Sequence, residues 1–266
     1  MIYSKWANQF RHALALGLAG LAMCACAARE PTTESLMIAI DEGSSARVGA
    51  LLAAGANPNA RDDRGEPAAI YALHKDRPEI ARLLVRAKGI DLEAENSYGQ
   101  TVLMVAAYQG RLDLVTELID ADAEVNHKGW TALHFAASSG QVDVVRLLLE
   151  HSAYIDAESP SRTTPLMMAA RIKDRPTCVV LIEEGADPTP VNQAGLTASD
   201  FARRAGDTEL AEWLATNAEH WRHAHPPPIA APSAAPSAPP AGATAPEDPS
   251  KSPDPRAPAA LAPPPS

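Results

Sequence analysis

A few side chains in this sequence have the type and spacing to do chemistry. His134, in Thr131-Ala132-Leu133-His134, has an imidazole that can act as a general base; His220, His223 and His225 together offer three imidazoles to zinc or copper; Cys178 supplies a thiol. Catalysis needs more than one such group: a nucleophile, a base and charge-stabilising donors must converge on a pocket. The sequence carries no G-x-S-x-G elbow, phosphate-binding loop or H-E-x-x-H pair. Three histidines without a fourth partner specify little for a metal, and a solvated helix end explains them as well. Cys178 stands among Val179, Leu181 and Ile182, where a thiol reads as a small core residue. The expectation is therefore no enzyme, with catalytic, cofactor and metal residues all absent.

The elements around His134 say more. Between Gly129 and Ala157 a short helix with Leu133, Ala136 and Ala137 on one face is followed by Gly140, where the chain turns. A second helix carries Val142, Val144, Val145, Leu147, Leu148 and Leu149, more apolar groups than one helix keeps in water, so neighbours must cover it. The pattern recurs every ~33 residues. Units run Leu36–Ala60, Asp62–Ala94, Asn96–His127, Gly129–Ala157, Arg162–Pro190 and Asn192–Asn217, with T-P-L-M-M-A-A and G-A-D-P in the fifth.

This tandem pattern resembles the ankyrin repeat. The resemblance implies an all-α fold, an ankyrin-repeat solenoid of about six helix-turn-helix units with β-hairpin finger loops, over residues 32–217. It also implies that His134 bonds to a neighbouring turn and holds repeats together. The chain departs from the pattern at Pro67-Ala68-Ala69-Ile70, which replaces T-P-L-H, and carries an extra residue near Lys88. The junction His127-Lys128-Gly129 is about three residues short, which predicts a stunted finger and a notch beside it.

The ends should be capped. Thr32, Thr33 and Glu34 suit a helix start, with Leu36, Ile40, Val48, Leu51 and Leu52 facing the second unit. In the last unit Trp213 and Leu214 close the core while Arg203, Arg204, Glu209 and Glu212 meet water. Lys-Asp-Arg-Pro occurs in both the second and the fifth unit, placing Pro78 and Pro176 in the first turn of a second helix, where a missing N–H costs nothing.

Residues 1–28 read as a signal peptide: Lys5 and Arg11, an apolar run from Ala13 to Ala22, then small residues. Leu21-Ala22-Met23-Cys24 also resembles a lipoprotein cleavage box, so a lipid anchor at Cys24 or Cys26 is the one membrane attachment expected. Localisation in the periplasm or cell envelope of a bacterium follows from that leader. Residues 218–266, rich in Pro, Ala and Ser, read as a disordered tail. The net charge is −10, or −12 once Lys5 and Arg11 are removed with the leader, which argues against nucleic acid as partner. A monomer is expected.

Carried onto this sequence, the variable positions of ankyrin binding faces are finger residues Asp63, Arg64, Glu66, Ser97, Tyr98, Gln100, Trp130 and Thr163. At the ends of the first helices they are Asp41, Glu42, His74, Lys75, Tyr108, Gln109, Ser138, Ser139, Arg171, Ile172 and Arg204. Aromatic side chains on such a face fit interface anchors, and Trp130 has a second reading as a residue packed on the adjacent finger. The resemblance thus implies noncovalent binding of another protein, as an envelope adaptor, scaffold or inhibitor. Narrower alternatives are an immunity protein against a secreted toxic enzyme, a catalase-associated oxidative-stress factor, or an unrecognised hydrolase.

Overall fold

A computed structural model describes residues 32–226, and the leader and most of the tail lie outside them. Among the described residues are twelve α-helices in six pairs: α1 (Thr33–Asp41) with α2 (Ser45–Ala53), α3 (Ala68–His74) with α4 (Pro78–Val85), α5 (Val102–Tyr108) with α6 (Leu112–Asp120), α7 (Ala132–Ser138) with α8 (Val142–Glu150), α9 (Pro165–Arg171) with α10 (Arg175–Glu183), and α11 (Ala198–Arg204) with α12 (Thr208–Ala224). First helices stack on first helices from α1 to α11, and second helices on second helices from α2 to α10. Six helix-turn-helix units in one stack are what the spacing predicts.

Short Ala-rich first helices let their neighbours approach closely. Ala106 and Ala107, Ala136 and Ala137, and Ala169 and Ala170 are all fully buried. The second helices of the second, third, fourth and sixth units each add a buried triplet at i, i+1 and i+4, the spacing that lines one helical face: Ile80, Ala81 and Leu84; Leu114, Val115 and Leu118; Val144, Val145 and Leu148; Leu210, Ala211 and Leu214. The fifth unit fills these places with Thr177, Cys178 and Leu181. Cys178 thus takes the position of Val145, and burial pushes its thiol up to about 12, which removes the thiolate from neutral chemistry.

Threonine starts most first helices. Thr101, Thr131, Thr164 and Thr197 each accept a backbone N–H from their own first turn, and Thr32 does so for α1 in a capping box with Ser35. Pro67 gives α3 no such cap. The backbone takes over: Arg61 and Pro67 form an antiparallel bridge, and the Ala68 N–H donates to the Ala60 carbonyl at 2.8 Å.

The finger loops are tight turns, and that bridge is the one β pairing among the described residues. Asp62, Asn96 and Asn192 each use a side-chain oxygen to accept the N–H groups two and four residues on, and Ser159 accepts that of Thr163. The expected exception is present. From Val102 to Ala132 the chain advances 30 residues, and from Ala132 to Pro165 it advances 33. The shortened turn His127-Lys128-Gly129 lacks the side-chain-capped turn, and His127 reaches back so that its Nε2 lies 3.2 Å from Glu95 Oε1. The second unit is long by one, Ala68 to Val102 spanning 34 residues.

Below the fingers runs a ladder between successive units. Asn59, Glu93, Asn126 and Asp156 accept the backbone N–H groups of Asp91, Glu124, Tyr154 and Asp187 at 2.8, 2.8, 2.7 and 3.0 Å. One rung joins each of four consecutive interfaces. The shortened connection keeps its rung at Asn126, so the missing residues come from the fingertip and not from the base.

One expectation needs adjusting. The boundary at 217 is too early: α12 runs to Ala224, because Ala218 is buried and Trp221 lies with Ile182, Ala186 and Pro188 of the preceding unit around a shallow cavity. The tail therefore starts beyond Pro226, outside the described residues. The two Lys-Asp-Arg-Pro stretches also differ in register. Asp76 takes the left-handed turn in the second unit (φ 55°), whereas Lys173 takes it in the fifth (φ 61°), with Asp174 then capping α10 through the Thr177 N–H. Pro78 and Pro176 still both fall in the first helical turn.

Candidate functional site

His134 is completely buried at the start of α7. Its Nε2–H donates to the Thr163 carbonyl of the next finger at 2.9 Å. Nδ1, left as an acceptor, takes the Thr131 backbone N–H at 3.2 Å and lies 2.9 Å from the Thr131 hydroxyl. Burial holds its pKa below the usual histidine range, so the ring is neutral. Both nitrogens are occupied by structural partners, and the imidazole ties two repeats together. His225, at the far end, stacks on Trp221 with ring centroids 4.2 Å apart and closes the last turn of α12.

The proposed contact residues divide by environment. Tyr98 at a fingertip and Tyr108 at the end of α5 are 83% and 52% exposed, large aromatic surfaces with no covering group among the described residues. Arg171 and Ile172 are exposed at the equivalent place on α9. Gln100 is half-buried, its Oε1 accepting from Asn96 Nδ2 at 3.0 Å. Gln109 bridges backward, donating from Nε2 to the Leu73 carbonyl at 3.0 Å.

Two basic side chains of the second unit are held by carboxylates of the same protein. His74 Nδ1 lies 2.8 Å from Glu66 Oε1, and Lys75 Nζ lies 3.0 Å from Asp41 Oδ1. Asp41 also accepts the Tyr71 hydroxyl at 2.7 Å, and the Lys75 ammonium sits over the Tyr71 ring. The Tyr71 hydrogen bond, then Lys75, keep the Asp41 carboxyl below the ordinary aspartate range. Glu66, His74 and Lys75 are thus linked within the face.

Trp130, Ser138 and Ser139 are less available than their positions imply. Trp130 is half-buried, meeting His134 edge-on at 5.3 Å and Phe135 at 6.3 Å between centroids. It packs on its own unit, with part of the indole left open. Ser138 and Ser139 donate their hydroxyls to the Phe135 carbonyl at 2.9 and 3.0 Å, which satisfies them within α7. Of the remaining positions, Asp63, Arg64, Ser97 and Arg204 are exposed, and Thr163 is buried under its finger.

The inter-repeat ladder is the feature that sequence reading missed. Asp156 is its charged rung beside another acid: burial, opposed by the Asp187 N–H and reinforced by the Asp187 charge, raises its carboxyl to about 6. The one available signal was the recurrence of Asn or an acid shortly before each finger, at Asn59, Glu93, Asn126 and Asp156.

Comparison with known proteins agrees with this geometry. The family model "Ankyrin repeats (3 copies)" matches residues 36–128, 94–159 and 118–192. The chain is 37% identical over 59 residues to human ankyrin repeat domain-containing protein 29, covering 22% of this chain and 20% of that protein. It is 25% identical over 184 residues to ankyrin repeat protein nuc-2 of Neurospora crassa, covering 67% of this chain and 17% of that protein. The chain thus spans no more than a fifth of the length of these curated relatives. Among solved structures, the ankyrin repeat domain of Bcl-3, described as a unique member of the IkappaB protein family, matches with a TM-score of 0.55 and 30% identity, covering 66% of this chain and 81% of that one.

Proposed function

Since the chain belongs to the ankyrin-repeat family, a protein–protein interaction module, we propose that it acts by holding another protein against its fingertips and first-helix ends. The observation that carries this reading is the pair Tyr98 and Tyr108, strongly exposed aromatics on one repeat of a stack whose other large apolar groups are mostly buried. Such residues supply hot-spot contact area when a partner covers them. Shared backbone and side-chain bonds between units keep the face preformed, which lowers the ordering cost of binding.

We place this activity outside the cytoplasm, in a bacterial envelope, as an adaptor, scaffold or inhibitor. The support is the sequence of the leader, residues 1–28, with Cys24 and Cys26 as anchoring positions, all outside the described residues. Intact-mass analysis of the native product tests it: a chain beginning between Cys24 and Arg29, with or without acyl mass, is expected, and soluble cytoplasmic protein retaining Met1 overturns it.

Affinity capture from the native envelope with the full mature chain, identified by mass spectrometry, supplies a partner for titration calorimetry. Tyr98→Ala combined with Tyr108→Ala should weaken that partner by at least about 2 kcal/mol, the scale of an interface hot spot, without changing helical circular dichroism. Unchanged affinity in a folded variant moves the binding site off this face.

A further inference from the structure

Arg171 and Arg204 end successive first helices, α9 and α11, at equivalent positions. Both are exposed, and neither has a carboxylate within ion-pair distance or a side-chain hydrogen bond among the described residues. The second unit provides the contrast: its basic side chains on the same face, His74 and Lys75, lie within about 3 Å of Glu66 and Asp41. Two acids beside these helix ends are already engaged. Asp200 is bound by Thr197 and Arg203, and Asp174 caps α10.

A chain of net charge −10 that leaves two guanidinium groups in register and unneutralised carries a local reversal of its own field. Neighbouring helices in such a stack lie roughly 10 Å apart, against roughly 7 Å between alternate residues of an extended segment, a difference that long, jointed arginine and glutamate side chains span. Ile172, directly after Arg171, is 38% exposed, giving the cationic end of the face an apolar neighbour.

We infer that the C-terminal half of this face takes an acidic polypeptide segment, with carboxylates on Arg171 and Arg204 and an apolar side chain over Ile172. Arginine suits this role because its planar fork meets a carboxylate through two hydrogen bonds. The strong negative charge of the remainder repels a long nucleic acid, whereas a short acidic segment meets only the cationic end. This inference rests on the binding-face reading above and adds the chemistry and orientation of the partner.

The test is fluorescence anisotropy with the full mature chain and a labelled peptide of alternating Glu and Ala carrying one Phe at its end. The peptide should bind saturably at low ionic strength and weaken as salt rises. Arg171→Glu with Arg204→Glu should reduce its affinity by roughly tenfold or more and admit the matching lysine peptide, while Arg146→Glu on α8 should change little. No saturable binding, equal binding of the lysine peptide to the unaltered chain, or insensitivity to the arginine pair overturns the inference. A single-stranded oligonucleotide of equal charge binding as tightly as the glutamate peptide also overturns it. With the captured partner the two readings separate: loss in the Tyr98/Tyr108 variant but not in the arginine variant leaves the binding face standing and rejects the acidic segment.

Discussion

Nε2 of His134 lies 2.9 Å from the carbonyl oxygen of Thr163, across the interface between the fourth and fifth repeats. A single buried ring thereby completes the cap of its own helix and the turn of its neighbour. Replacing it with alanine leaves the Thr163 carbonyl and the Thr131 N–H without partners. We expect His134→Ala to lower unfolding free energy by about 1–3 kcal/mol or more, measured by urea denaturation at neutral pH.

The same ring sets a pH dependence. Its folded pKa lies below the 6.5 of a free histidine, so below that value the unfolded chain binds the proton more readily. Its contribution is present above about pH 6.5 and lost as pH falls below it through the folded pKa. Asp156 acts in the opposite sense. Its folded pKa of about 6 exceeds the 3.8 of a free aspartate, so the native state takes up the proton first and gains stability as pH falls from about 6 toward 4.

Asp156→Asn removes the second effect while keeping the rung, since Asn59 and Asn126 already accept equivalent N–H groups. The variant should be more stable than the parent at pH ~7.5, by about 1–3 kcal/mol, with the difference closing near pH ~4. Urea midpoints across that range check it, and equal midpoints at neutral pH refute the ionised rung.

Lys173 adopts a left-handed backbone where Gly110 and Gly140 stand in other units. Lys173→Gly should therefore raise stability slightly, by up to about 1 kcal/mol, and Gly110→Ala should lower it by about 1–2 kcal/mol. Thermal melts of the two variants should shift in opposite directions.

Truncation separates the old boundary from the observed one. A chain ending at Pro226 should keep the thermal midpoint of the parent, whereas one ending at Asn217 loses buried Ala218 and the Trp221 packing and should melt several degrees lower.

Much of this architecture was legible. Recurrent Thr before Leu, paired Ala in first helices and the i, i+1, i+4 apolar triplets are local patterns, and they located six units. The ladder was harder to read because Asn126 and Tyr154 meet only after two repeats stack. Ser138 and Ser139 were assigned to the face from position, but a hydroxyl's preference for a carbonyl one turn back is settled by local backbone geometry. Lys-Asp-Arg-Pro shows the same limit: identical residues take different registers because each first helix, and not the tetrapeptide, decides where the turn begins.

The short connection between Asp120 and Ala132 gives the array a landmark. A stack of equal repeats offers a long ligand several equivalent alignments, each displaced by one unit. Shortening a single fingertip breaks that translational symmetry. A partner whose surface follows the row of fingers would meet the shortened one at His127-Lys128-Gly129 in one alignment alone. In a protein with few distinctive side chains, a gap of three residues can serve as the origin from which a ligand counts.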